Sequence, residues 1–214
     1  MYCVFKKTVL LSLTILLHFL GNAQTGSIEL SSGGFSFVPA FTSKEPNVII
    51  NASTNPQKRL SGHLLYMMRV KSATPTGVVI MTRYKLLDKK VKLSVGLHIP
   101  AMQISSKYEV TSLFGQELNL SIPVSKSVTL GTFLLNGKGR NNDFKAFFTS
   151  AFANYHHEKW NLLSQAYYLD KGHLVGATET LSYQINKRFQ LKGLVNYTIT
   201  DKNFISTIGV NYTL

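Results

Sequence analysis

The chain has 214 residues, 44% of them hydrophobic and 15% charged, one cysteine, and a formal net charge of +13. A single cysteine excludes a disulfide framework. The low charge and high hydrophobic content fit a membrane barrel, but a soluble β-sandwich could have the same totals. The excess of basic residues indicates an affinity for anions.

The N-terminus has the pattern of a secretory signal peptide. Lys6 and Lys7 precede an apolar run from Val9 to Leu20, and the small residues of Gly21-Asn22-Ala23 fit a cleavage site. The run is shorter than the roughly 20 residues that a membrane-spanning helix needs. We therefore predict a signal peptide over residues 1–23 that is cleaved on export.

The predicted mature chain, residues 24–214, forms one domain. Cys3 leaves with the signal peptide, so no thiol chemistry is expected. Export disfavours nucleic acid as the partner of the basic residues. Acidic solutes and lipid phosphates remain as the anions that such a chain would meet.

Two weaker strand candidates come first in the mature chain. Residues 28–41 alternate, but Gly33-Gly34 and Pro39 interrupt them, and residues 47–52 are short. The role of region 28–60 is left open by the sequence.

Ten stronger strands follow, each with apolar and polar residues in alternation. In the last of them Phe204, Ile208 and Val210 share one face, whereas Thr207 and Asn211 fall on the other. A period of two gives a strand one apolar face and one polar face. The predicted bounds are 61–71, 76–87, 90–99, 116–124, 127–136, 143–155, 159–169, 173–185, 188–199 and 203–214.

This pattern behind an export signal predicts an all-β fold, a closed antiparallel transmembrane β-barrel. A sheet in a membrane must close to satisfy its backbone, and bacterial barrels have even strand numbers. Twelve strands are predicted. The alternative is ten strands, with the N-terminal segment as a plug or cover.

The connections alternate between short and long, as expected for periplasmic turns and outer loops. The longest predicted loop is Pro100–Gly115. The short connections are Leu87–Lys90, Ser125–Ser127, His156–Lys159 and Asn186–Lys187. We call the end of the barrel that carries them the short-turn end, and predict that it faces the periplasm.

Outward-facing aromatic residues are predicted at both ends, where amphipathic rings suit the headgroup depth of a bilayer. The predicted girdle at the short-turn end consists of Tyr84, Trp160, Tyr183 and Tyr212, and that at the outer end of Phe144, Tyr168, Tyr197 and Phe204. Glu179 falls mid-strand on an outward face, so the sequence predicts either a bulge that shifts the phase or a partner at this position.

The chain resembles small outer-membrane β-barrel proteins of the Bacteroidota type. The resemblance rests on Gly21-Asn22-Ala23-Gln24, on the ladder of strands and on the closing Gly209-Val210-Asn211-Tyr212-Thr213-Leu214. It implies the outer membrane of a Gram-negative bacterium, contact with membrane lipid and insertion by the barrel-assembly machinery. Such barrels commonly end in an aromatic residue, whereas this chain ends in Leu214, with Tyr212 the nearest aromatic.

Lumen charge is the predicted determinant of function, because rings of Lys and Arg favour anion passage. Arg83, Lys85, Lys92 and Lys192 are the predicted selectivity residues. They favour a porin-like channel for small solutes, including anionic ones. The alternatives are a non-conducting structural barrel that docks a secretion or uptake partner, and a lipid-modifying enzyme.

No catalytic, metal or cofactor site is predicted. His63 and His98 point inward, but the sequence brings no further ligands to them. A G-x-S-x-G elbow is missing from the sequence, and no Ser/His pair has an identifiable orienting partner. Oligomeric state cannot be predicted from this pattern.

Overall fold

The structure is a computed structural model that describes residues 25–33, 39, 44–104, 110–140 and 142–214. The predicted signal peptide and its cleavage site lie outside the described residues. Among the residues described, no helix is long and apolar enough to cross a membrane.

Within the described residues, twelve antiparallel strands form one closed barrel, in which each strand pairs with its neighbours in sequence and β1 pairs with β12. The strands are β1 Thr25–Ser31, β2 Asn47–Ser53, β3 Leu60–Arg69, β4 Thr74–Asp88, β5 Lys92–Ile104, β6 Val110–Pro123, β7 Val128–Gly139, β8 Lys145–His157, β9 Trp160–Leu169, β10 Leu174–Gln184, β11 Phe189–Thr198 and β12 Asn203–Thr213. The twelve-stranded prediction is confirmed. The ten-stranded alternative is wrong, because β1 and β2 are wall strands.

Alternation along each strand puts the apolar face on the outside of the barrel. On β12, Ile205 and Thr207 point inward and are buried, whereas Phe204 and Ile208 point outward and are 57% and 66% exposed. This is the reverse of a water-soluble protein, whose apolar side chains face its core. Large exposed apolar surfaces mark contact with a membrane or another protein.

The longest predicted loop is mostly strand. Residues of β5 and β6 pair from Lys92↔Ser121 to Ile104↔Val110, so Pro100–Gly115 is not a loop as predicted. The pairing register shifts between His98 and Ala101. Pro100 has no backbone N–H for the ladder, which explains both the irregularity and the misreading of the strand's end.

The inward and outward faces of β8 are exchanged relative to the prediction. Phe148 is 2% exposed and points inward, whereas Phe147 is 39% exposed and points outward. Phe144 therefore packs against the inward cluster around Phe148 instead of joining a lipid-facing girdle, and Lys145 lies on the outward face. Both faces of β8 carry apolar residues, so periodicity alone did not fix its phase.

Candidate functional site

A cavity of about 820 Å³ lies inside the barrel, in the half nearer the short-turn end. We call it the lumen chamber. Its lining includes polar side chains of Ser27, Asn51, Asn119, Asn154, Asn161, Gln165, Thr180 and Asn211. Amides and hydroxyls both donate and accept hydrogen bonds, so these parts of the wall suit water and polar solutes. Apolar side chains such as Leu64, Phe152 and Leu194 line the rest of the chamber.

Arg83 of β4, a predicted selectivity residue, lines the chamber and forms an ion pair with Glu117 of β6. The guanidinium donates from Nε to Oε1 and from Nη2 to Oε2, the second bond measuring 3.1 Å. His98 of β5 donates from Nε2 to Oε2 at 2.7 Å. One buried carboxylate thus ties three neighbouring strands together.

Two glycines make room for this triad of Arg83, His98 and Glu117. Gly96 is the register partner of both Arg83 and Glu117, so the Glu117 side chain crosses β5 over Gly96. A Cβ at Gly96 would lie 2.6 Å from Glu117 Oε1, closer than real Cβ contacts allow. Gly115 stands opposite His98 in the same way.

Lys192 of β11, a second predicted selectivity residue, forms an ion pair with Glu29 of β1. Lys192 Nζ donates to Glu29 Oε2 at 2.6 Å. Because β12 lies between β11 and β1, the pair bridges the seam where the N- and C-terminal strands meet. Gly209, the register partner of Lys192 on β12, leaves space for the lysine to cross.

The two ion pairs present their positive ends to the chamber. The side chains of Glu117 and Glu29 are 1% and 3% exposed, whereas those of Arg83 and Lys192 are 32% and 26% exposed. Strands β4 and β11 are five strands apart around a twelve-stranded ring, so the two cations lie on nearly opposite walls. An anion in the chamber would meet cations before carboxylates.

The other two predicted selectivity residues lie nearer the short-turn end. Lys85 Nζ donates to Asp88 Oδ2 at 2.8 Å and to the Gln57 carbonyl at 3.3 Å. Lys92 is exposed and stands opposite Asp88 in the register. A role of these residues in selectivity remains a prediction.

Beyond the chamber, toward the outer end, inward side chains of β7 to β11 form a packed layer of Phe133, Phe148, Tyr167, Thr178 and Asn196. The rings of Phe148 and Tyr167 are 6.0 Å apart, and Tyr167 donates from its hydroxyl to Asn196 Oδ1 at 3.0 Å. Thr178 donates to the same oxygen at 2.8 Å. Asn196 Nδ2 donates to the carbonyl of Pro39 at 3.5 Å, which places Pro39 inside the barrel.

Seven of the eight predicted girdle residues lie on the outward faces of their strands, Phe144 being the exception. Trp160 packs on Tyr183 with ring centroids 4.5 Å apart, and Phe189, which was not predicted, packs on Tyr212 at 5.0 Å. The outward positions are those of Tyr84, Trp160, Tyr183, Tyr212, Tyr168, Tyr197 and Phe204. Their contact with lipid stays a prediction.

The inward histidines do not form a recognisable reaction centre. Ser61 Oγ and His63 Nε2 are 3.0 Å apart, but the two residues are neighbours on one face of β3, and Ser61 is buried. In the described part of the chain, no group of three or more His, Cys, Asp or Glu side chains could hold a metal ion.

Sequence reasoning did not identify Glu29 as a site residue, and it did not predict that Arg83 and Lys192 each pair with a carboxylate. The signal for Glu29 is present, because Ile28-Glu29-Leu30-Ser31 alternates, but Gly33-Gly34 and Pro39 interrupt the candidate strand 28–41 that contains it. The pairing of Arg83 with Glu117 depends on the register between β4, β5 and β6, which alternation within a strand does not define.

Solved structures of outer-membrane barrels have this fold. A KdgM porin in complex with disordered oligogalacturonate matches with a TM-score of 0.67 and 10% identity, over 88% of this chain and 98% of the porin. A NanC porin matches with a TM-score of 0.59 and 12% identity, over 88% and 97%. The outer membrane phospholipase A from Escherichia coli matches with a TM-score of 0.52 and 12% identity, over 89% of each chain.

At such identities the likeness shows a shared fold and no shared activity. No family model matches the sequence, and the comparison with curated proteins gave no match. The function must therefore be argued from the lumen itself.

Proposed function

We propose that the chain is an outer-membrane barrel that works as a porin-like channel for small polar solutes, including anions. Its apolar outer face supports membrane placement, since outward residues such as Leu30 and Ile208 are 56% and 66% exposed. In a water-soluble barrel that surface would carry a large hydration cost.

The lumen chamber, with Arg83 and Lys192 on its wall, is the observation that carries the proposal. A cavity of about 820 Å³, whose wall combines amides and hydroxyls with apolar side chains, gives a small solute room inside the barrel. Cations that face this cavity, with their carboxylates buried behind them, favour anions over cations inside it.

The exposed cations indicate what a solute would offer. The side chains of Arg83 and Lys192 are 32% and 26% exposed, so an acidic group of a solute in the chamber would face them. Hydroxyl groups of the same solute would meet polar side chains of the wall such as Asn51 and Gln165. Oligogalacturonate, with which the KdgM porin was solved in complex, belongs to that chemical class.

We expect the packed layer to be the narrowest part of the ion path. We expect Phe148→Ala to raise the single-channel conductance several-fold. The ring of Phe148 points from β8 into the barrel and is 2% exposed, so its removal would widen the interior at this level. Conductance in planar bilayers at fixed salt measures this. The matched control is Phe204→Ala, which removes the same side chain from the outward face of β12. Equal conductance of Phe148→Ala and the wild type would place the narrowest point elsewhere.

A non-conducting barrel that docks a partner is the second candidate, and the packed layer is the observation that favours it. Phe148, Thr178 and Asn196 are fully buried, and the carbonyl of Pro39 hydrogen-bonds within the same layer. A correctly folded wild-type protein that carries no current, together with a stably co-purifying partner, would favour this candidate over the channel.

A further inference from the structure

Charged side chains on the outward faces of a membrane barrel are costly unless they lie near its ends. Glu179 lies at the middle of β10, where pairing with β9 and β11 is regular, so no bulge turns its side chain inward. Ser164 of β9 donates to Glu179 Oε2 at 2.7 Å, which gives this carboxylate a partner within the wall. Two outward lysines, Lys138 of β7 and Lys145 of β8, lie instead where the two strands meet the outer end.

The two lysines stand directly opposite each other in the pairing of β7 with β8. Phe133 and Phe148 of the same strands are buried inside, so alternation puts Lys138 and Lys145 outside, and both are exposed. Like charges directly opposite each other in a ladder repel. An anion between the two ammonium groups would replace this repulsion by attraction.

The described part of the chain does not supply that anion. Residues 138–145 hold three cations, Lys138, Arg140 and Lys145, against one carboxylate, Asp143. Asp170 of the next turn accepts the backbone N–H of Phe147 at 2.6 Å. The cations that form ion pairs among the described residues are Arg69, Arg83, Lys85, His98 and Lys192. The end of this hairpin therefore has an excess of positive charge.

The lysine pair lies at the outer boundary of the apolar band. Tyr155, which is 45% exposed, marks the other end of the outward face of β8. At the usual rise and tilt of a barrel strand, the stretch of β8 from Tyr155 to Lys145 spans about 25 Å along the membrane normal, which is the height of such a band. Two outward rings flank the pair, because Phe114 is the register partner of Lys138 on β6 and Phe147 follows Lys145 on β8.

We propose that Lys138 and Lys145 bind the phosphate of an anionic lipid at the outer surface of the membrane, with the acyl chains of that lipid against Phe114 and Phe147. A lysine ammonium binds phosphate as a point charge, and its aliphatic stem can lie along apolar surface while the charge stays in the polar layer. A lipid is favoured over a soluble anion because the site combines cations with apolar rings at the depth where phosphate and acyl chain meet.

Native mass spectrometry of the detergent-purified protein tests this site, with phosphatidic acid as the probe because its headgroup is a bare phosphate. We expect the wild type to retain the lipid and the double variant Lys138→Gln with Lys145→Gln to retain about tenfold less, since each lysine near a membrane surface adds to the attraction of anionic lipid. The matched control is Lys126→Gln with Lys187→Gln, which removes the same charge from two exposed short turns and should leave retention unchanged.

Lys138→Glu separates lipid binding from folding. A glutamate opposite Lys145 replaces the repulsion by an ion pair, so the unfolding midpoint in neutral detergent should not fall, while retention of phosphatidic acid is lost. Lys138→Arg with Lys145→Arg keeps both charges and should retain the lipid. Heat-modifiable gel migration confirms that each variant is folded.

Equal retention of phosphatidic acid by the wild type and by Lys138→Gln with Lys145→Gln overturns the inference, as does an equal loss in the control pair. Displacement of the lipid by inorganic phosphate at the same concentration would show a site for soluble anions and would also overturn it. The inference rests on the proposed placement in a membrane and not on conduction. A barrel that carries no current but retains the lipid through this pair would remove the channel alone, and a conducting barrel with no such retention would remove the lipid site alone.

Discussion

Glu117→Gln is expected to lower the free energy of unfolding by on the order of 2 kcal/mol, since removing one partner of a buried ion pair leaves the other charge uncompensated. The side chains of Glu117 and His98 are 1% and 3% exposed, but that of Arg83 is 32% exposed, so water offsets part of the loss. Glutamine has nearly the same shape, and the effect therefore reports charge. The single tryptophan, Trp160, provides the fluorescence signal for urea unfolding in liposomes.

The matched control for this substitution is Glu45→Gln. Glu45 also pairs with an arginine, Arg69, at 2.5 Å, but its side chain is 63% exposed. Exposed ion pairs contribute about 1 kcal/mol or less. An unfolding midpoint of Glu117→Gln that equals that of Glu45→Gln would show that the triad does not hold β4, β5 and β6 together.

Neutralising the pair of Glu29 and Lys192 one residue at a time is expected to shift ion selectivity in opposite directions. Glu29→Gln removes the buried carboxylate, so the reversal potential in a salt gradient should move toward the equilibrium potential of chloride. Lys192→Gln removes the cation that faces the chamber, so the reversal potential should move toward the equilibrium potential of potassium. The double variant restores the charge balance and should lie near the wild type.

Stability should follow a different order from selectivity in these variants. Lys192→Gln leaves a carboxylate that is 3% exposed without its cation, so it should destabilise the barrel most. Lys202→Gln, an exposed lysine in the turn before β12, serves as the control for a change of net charge outside the lumen. If Glu29→Gln and Lys192→Gln both keep the wild-type reversal potential through conducting pores, the chamber is not on the path of the ions.

Alternation was sufficient to predict most of the wall. The predicted strand 188–199 corresponds to β11 Phe189–Thr198, and 203–214 to β12 Asn203–Thr213, because one face of each strand is consistently apolar. The two N-terminal strands were recognised only weakly. Their place in the ring depends on pairing with β12 and β3, which is a long-range property of the chain.

The errors have a common physical origin. Strand β8 has apolar residues on both faces, and its phase is set by neighbours that bury Phe148 and leave Phe147 outside. Ion pairing of Arg83 and Lys192 likewise depends on which residues the register places side by side. A sequence read strand by strand predicts that these cations face the lumen but not that each has a buried carboxylate next to it.

Current through the refolded wild-type protein in a planar bilayer tests the account most directly. We predict discrete conductance steps, with a reversal potential in a salt gradient that favours anions. Protein that migrates as a folded barrel and inserts into the bilayer, yet carries no current at any voltage, would contradict the channel.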